Sequence, residues 1–121
     1  ICCLIPGVKG MSENIEAISV VDKFLEHPRE FIFANNGNPK VYISSADWMT
    51  RNLDYRVEVG CPIYDKDIKQ ELIDTFEISW SDNLKARIFS EKQDNAYRKI
   101  KGQEVRSQFA LYNYYEAKLE S

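Results

Sequence analysis

Apolar and polar positions along the chain switch between two periods, one near 3.6 residues and one of 2. Residues 1–5, Ile-Cys-Cys-Leu-Ile, are apolar and short, which predicts a buried strand entered in mid-course. Pro6, Gly7 and Gly10 then punctuate a loop. Ile15, Ile18, Val21 and Leu25 recur at helical spacing, so a helix is predicted here with one face in the core. Ser12 or Asn14 would cap it, and Glu13 and Glu16 suit its positive end. Pro28 does not continue a helix, which puts His27 at the end of this one.

The middle of the chain has strand character. Residues 30–33 read as a strand, the Asn-Asn-Gly-Asn-Pro run at 35–39 as a turn, and 40–44 as the returning strand. In the returning strand Val41 and Ile43 share one face, Tyr42 and Ser44 the other. Residues 55–59 alternate cleanly and predict a further strand, with Tyr55, Val57 and Val59 on one side and Arg56 and Glu58 on the other. From Asp65 a helix is predicted to about Phe76, capped by Asp65 and buried through Ile68, Leu72 and Phe76. Residues 80–83 connect it to a short strand at 85–89. Residues 90–103 are polar and weakly patterned, and Arg98, Lys99 and Lys101 make them a basic loop. A last helix over about 103–119 carries Val105, Phe109, Tyr112 and Leu119 on one side, with Tyr112, Tyr114 and Tyr115 divided between core and surface. The sum is one α/β domain over residues 1–121, a mixed sheet flanked by helices.

Composition narrows the function classes. The 121 residues are 44% apolar and 29% charged, as in an ordinary globular chain. No apolar run approaches the roughly 20 residues that cross a bilayer. The opening has neither a basic start nor a starting Met and reads as a piece of a longer protein. The net charge of −3 argues against a nucleic-acid surface, so any anionic substrate would need a local cluster of positive charge. Cys2, Cys3 and Cys61 have no metal-ligand spacing, and the odd number favours reduced, mostly buried thiols and a cytosolic setting.

Several motifs are absent. The chain has no Walker-type loop, no GxGxxG, no GxSxG elbow, no HExxH and no Cys/His cluster. What remains is the sole histidine, His27, with Arg29 two positions on and the polar group Ser44, Ser45 and Asp47 after the next strand. Imidazole can take or stabilise a phosphoryl group near neutral pH, and the planar fork of Arg29 can clamp phosphate oxygens. The plainer readings stand beside these. His27 could serve a helix C-terminus, Arg29 could be solvated, and Ser44, Ser45 and Asp47 could end a strand and cap the next turn. Arg56 could be a phosphate ligand or could pair with Glu58 on the same strand face. Arg51 follows the polar group closely. No metal-binding residue is assigned within the chain.

Three segments carry a resemblance: PGVKGMSENIEAISVVDKFLEH, KVYISSADWMTRNLDYRVEV and IKQELID. In this order they resemble the C-terminal end of bacterial polyphosphate kinase of the first type, and the similarity covers nearly the whole chain. The stretch 78–103 is its weakest part. The resemblance implies a phospholipase D-like half, with His27-Pro28-Arg29 in place of His-x-Lys and Ser44-Ser45-Ala46-Asp47 in place of Gly-Ser-x-Asn. It implies a transferase, a kinase that binds ATP and moves its terminal phosphate reversibly to polyphosphate through a phosphohistidine. That histidine, the Mg²⁺ site and the adenine contacts would lie in the preceding domain. His27 would be the second histidine, facing the transferred phosphate. The implied partners are ATP or ADP, inorganic polyphosphate and the preceding catalytic domain, in a homo-oligomeric full enzyme. The implied setting is cytoplasmic, with membrane association open to the full enzyme. Two other classes fit the residues alone: a phosphodiesterase or nuclease half-site of the same fold, and a non-enzymatic polyanion-binding module using the 98–106 basic loop.

Overall fold

The structure is a computed structural model and describes residues 4–120. In chain order its elements are β1 (Ala17–Val20), β2 (Glu30–Phe33), a 3₁₀ turn (Asn35–Gly37), β3 (Lys40–Ser44), α1 (Thr50–Leu53), β4 (Gly60–Ile63), α2 (Lys66–Trp80), β5 (Ala86–Phe89) and α3 (Ser107–Leu119). The class is mixed α/β. The elements divide between two compact units, one made of the chain up to Phe24 and from Glu77 onward, the other of Leu25–Phe76.

The second unit is built on a three-stranded antiparallel sheet in the order β2-β3-β4. β2 and β3 form the expected hairpin. Its turn places Asn35, Asn36 and Gly37 all at positive φ, the region that Asn and Gly tolerate best. Alternation assigns the faces. Val41, opposite both Ile32 and Ile63, is 1% exposed, whereas Phe31, Phe33 and Tyr42 share the other face. The stacked rings of Phe31 and Trp48, with centroids 5.7 Å apart, extend that aromatic face beyond β3. After Asp65 the chain becomes helical as expected. Asp65 Oδ1 accepts from the backbone N–H groups of Asp67 (2.9 Å) and Ile68 (3.0 Å), satisfying donors of the first turn of α2.

The fourth strand differs from expectation. The predicted strand at 55–59 does not form, and β4 begins at Gly60 instead. Val57 is fully exposed and Tyr55 and Val59 are largely so. The register decides this: Ser44 pairs with Gly60, so the pairing with β3 is used up by residues 60–63. Pro62 is tolerated because β4 is an edge strand. The predicted burial of α2 is also only partial, with Ile68 and Phe76 exposed.

In the first unit the predicted helix before His27 is replaced by turns over 6–14 and the strand β1, paired antiparallel with β5. Ser12 does not cap a helix. Its hydroxyl donates to the Ile5 carbonyl at 2.5 Å and accepts from Val8 N–H at 3.0 Å, closing a loop in which Gly7 and Gly10 take positive φ. Ile18, Val20 and Val21 are β-branched, which favours the strand over the helix that their spacing also allows. Of the strand expected at 1–5, residues 1–3, with Cys2 and Cys3, lie outside the described residues. Leu4 and Ile5 are exposed and not in a strand. β5 forms where expected, and the α3 helix starts at Ser107.

Polar groups dock α3. Asp82, wholly buried, accepts through Oδ1 from the N–H groups of Leu84 (3.1 Å), Lys85 (2.7 Å) and Ala86 (2.9 Å). Its Oδ2 accepts from the N–H and the hydroxyl of Ser107, both at 2.8 Å. Burial pushes its carboxyl up, but these hydrogen bonds outweigh it and hold Asp82 below its ordinary value. Arg106 forks onto Asp22 at 2.8 and 2.6 Å, and the Gln108 amide exchanges two hydrogen bonds with the Phe24 backbone. The apolar side expected on this helix is exposed at Phe109, Tyr112 and Leu119. The helix is held by the side chains of Arg106, Ser107 and Gln108 at its start. Replacing Asp82 by Ala leaves these donors without an acceptor. The expected cost is roughly 3–5 kcal/mol of unfolding free energy in chemical denaturation. A loss below about 1 kcal/mol would show that water satisfies them equally well.

Candidate functional site

His27, Arg29 and Asp47 come from two segments of the second unit. His27 and Arg29 sit on the extended approach to β2, and Asp47 lies just past the end of β3. The antiparallel pairing carries these ends together: Ser44 N–H donates to the Arg29 carbonyl at 2.8 Å, which brings the start of β2 beside the 44–47 segment. Among the described residues no helix precedes His27, so the reading of it as a helix-terminus residue is corrected.

One carboxylate organises the cluster. Asp47 Oδ1 accepts from Arg29 Nε at 2.6 Å and lies 2.7 Å from His27 Nε2. Arg51, one helical turn on, brings Nη2 to 3.5 Å from Oδ2. Arg29 Nη2 lies 3.4 Å from His27 Nδ1. The Arg29 hydrogen bond, helped against partial burial by that of His27, holds the Asp47 carboxyl down at about 2. An ionised Asp47 can only accept, so Nε2 of His27 carries its proton toward it. Nδ1 is then the acceptor facing Arg29. The His27 side chain remains 61% exposed, at a cleft of about 250 Å³ lined also by Arg29, Asp47 and Trp48. Glu30 lines the same cleft, and burial raises its carboxyl.

Not every candidate joins this cluster. Arg56 is exposed in the bend after α1, and its charge bears on Glu58. The shared strand face on which the Arg56–Glu58 pair was expected does not exist. Hydrogen bonds from Ser45 and Asn52 hold Glu58 instead and lower its carboxyl. Ser44 keeps the capping role weighed for it, its hydroxyl accepting from Ala46 N–H at 3.0 Å. Sequence reasoning missed Asn52, which is 3% exposed, and the stacking of Trp48. A single Asn in a polar stretch gives no periodic signal. Trp48, next to Asp47, could have been flagged as a large aromatic beside candidate chemistry.

The arrangement suits an anion. Two guanidinium groups and an imidazole converge on one carboxylate, and His27 and Arg29 also line an open cleft. A phosphoryl oxygen entering there would meet N–H donors already oriented.

Comparison with known proteins gives consistent findings. Residues 1–108 match the family model described as polyphosphate kinase C-terminal domain 2. The polyphosphate kinase of Vibrio parahaemolyticus is 52% identical over 114 residues, 93% of this chain and 16% of that protein. The polyphosphate kinase of Escherichia coli K12 is 50% identical, over 93% of this chain and 17% of that protein. The crystal structure of polyphosphate kinase from Porphyromonas gingivalis superposes with a TM-score of 0.93 at 43% identity, covering 99% of this chain and 18% of that one. The chain thus spans about a sixth of the length of the curated relatives it matches.

The lowered Asp47 carboxyl makes a pH-dependent prediction. A group depressed in the folded state stabilises above its unfolded value, here 3.8, and that contribution is lost as pH falls through about 2. Asp47→Asn should therefore remove a component of acid sensitivity confined to that window. Acid denaturation curves of the two proteins with unchanged slopes there would refute the pairing.

Proposed function

The chain belongs to the polyphosphate kinase family, in its C-terminal domain, and we propose that it works as the C-terminal catalytic domain of such an enzyme. The reaction is ATP + polyphosphate(n) ⇌ ADP + polyphosphate(n+1). The terminal phosphoryl group passes first to a histidine of the preceding domain, releasing ADP, and then to a terminal oxygen of the polyphosphate chain, freeing that histidine. The observation that supports this is His27, the only histidine of the chain, exposed at a cleft and engaged at both ring nitrogens by Asp47 and Arg29.

His27 serves as the second histidine. The Nε2–H that faces Asp47 can be taken over by a phosphoryl oxygen, so that the ring donates a hydrogen bond there as charge develops. Asp47 holds the ring and keeps its Nε2 protonated. Arg29 supplies a fixed positive charge beside it. Phosphoryl transfer needs mainly positioning and charge neutralisation, which this set of groups provides. The phospholipase D-like frame is part of the reading, because the residues that stand for its two motif halves, His27-Pro28-Arg29 and Ser44–Asp47, are the ones brought within hydrogen-bond reach.

Mg²⁺, which would bridge the nucleotide phosphates, does not fit the residues present. Asp47 is already engaged by His27 and two arginines, and no three His, Cys, Asp or Glu side chains converge among the described residues. The ion is assigned to residues outside this chain, as are the adenine contacts. ATP or ADP and polyphosphate are the substrates, the preceding catalytic domain is the immediate partner, and the full enzyme is a cytoplasmic homo-oligomer in this reading. No helix among the described residues is long and apolar enough to cross a membrane.

In the complete enzyme, His27→Ala should lower polymer synthesis by about 10²-fold or more while thermal unfolding is unchanged, because the side chain is exposed. Wild-type turnover in that variant would overturn the assignment. The chain by itself should acquire no acid-labile phosphate from labelled ATP, and strong labelling would mean that the nucleophile lies within it.

A further inference from the structure

The polar contacts do not stop at Asp47. Ser45 Oγ donates to Glu58 Oε2, and the Ser45 backbone N–H donates to the Val59 carbonyl at 3.0 Å. Val59 N–H donates in return to Ser45 Oγ at 3.0 Å. The other oxygen of Glu58 accepts from Asn52 Nδ2 at 2.7 Å. The Asn52 carbonyl oxygen accepts from Arg51 Nε at 3.3 Å, and Arg51 reaches Asp47. Each link is on the same 45–52 segment or on the strand approach that faces it.

We propose that Glu58 and Asn52 are positioning residues for His27, acting through the segment that carries Asp47. The proposal rests on the reading of His27 as the working side chain. Residues 45–49 belong to no helix or strand, so no ladder of backbone hydrogen bonds fixes Asp47. Glu58 grips both ends of the segment, Ser45 on one side and Asn52 on the other. Asn52 is buried, and its amide uses both its donor and its acceptor side, so it has one orientation available. Asp47 lies between the two grips, and its carboxylate can only meet His27 and Arg29 together if that stretch is held. Glu58 makes no hydrogen bond to His27 or Arg29, but its charge bears on Arg29. A positioning effect is the part that survives when Glu58→Gln removes the charge and keeps both grips.

Because the chain has a single histidine, its imidazole proton signals in NMR report His27 alone. Measured on the whole chain without phosphate at one neutral pH, Asp47→Asn gives the reference displacement of those signals. Glu58→Ala should move them the same way by at least about half as far. Glu58→Gln should leave them close to wild type, because its amide oxygen still accepts from Asn52 and its amide N–H can donate to Ser45. Should Glu58→Ala fail to fold, Ser45→Ala removes one grip only and should produce a smaller displacement of the same sign. The proposal is overturned if folded Glu58→Ala or Ser45→Ala leaves the signals in place. It is equally overturned if Glu58→Gln displaces them as far as Glu58→Ala. No substrate is present in these measurements, so a failed phosphoryl-transfer reading would leave their outcome intact, and the reverse.

Discussion

The shared carboxylate of Asp47 is the interaction on which the site depends. It offsets repulsion between Arg29 and Arg51, two guanidinium groups that both reach it. It also sets which ring nitrogen of His27 carries a proton. An isolated pair at this degree of exposure contributes little to stability, because water and salt screen it. Its value is geometric: one small anion links the start of β2, the end of β3 and α1, and so turns three flexible cationic or polar side chains into a fixed set.

Such a set is electrostatically frustrated in a useful way. The donors are oriented by an internal anion that is weaker as a partner than a phosphoryl group with several charged oxygens. An incoming phosphate can share or take over the N–H groups without any of them having to be ordered first. A histidine of this kind can stabilise charge on a phosphoryl group brought to it.

Much of this was legible in the sequence, and the failures have physical causes. The β2–β3 hairpin was readable because period-2 alternation flanks a turn rich in Asn, Gly and Pro. The Asp65 cap and the β5 strand were readable for similar local reasons. The helix expected before His27 failed because the stretch carries two patterns, Ile15, Ile18 and Val21 at helical spacing and Ile18 and Val20 at strand spacing. Their strand partner, β5, lies far along the chain, where local pattern carries no information. The strand at 55–59 failed because alternation shows which side chains could share a face, whereas register with β3 selects which residues pair. His27, Arg29 and Asp47 could be named from their types, but the link between them required the hairpin to bring its two ends together. Asn52 had no signal at all: burial of one amide follows from tertiary contacts alone.

Where apolar burial is sparse, polar anchors take over part of the work of specifying structure. Pro6, Val41 and Ala86 are the buried apolar residues among the described ones, beside five buried polar ones: Ser12, Asn52, Asp82, Ser107 and Gln108. The Asp82 cage joins the start of β5 to the first residue of α3 across 25 positions of sequence. Both ends of the intervening polar stretch are thereby fixed by a group outside it. Chain-closure entropy then rises only logarithmically with what lies between, about 0.6 kcal/mol for each doubling of length. Within that stretch Ala96 and Arg98 also bond to the β5 backbone, so it is at 91–94 and 99–102 that insertions and deletions can accumulate over evolutionary time, or be made by an engineer, while the helix stays docked at the same place.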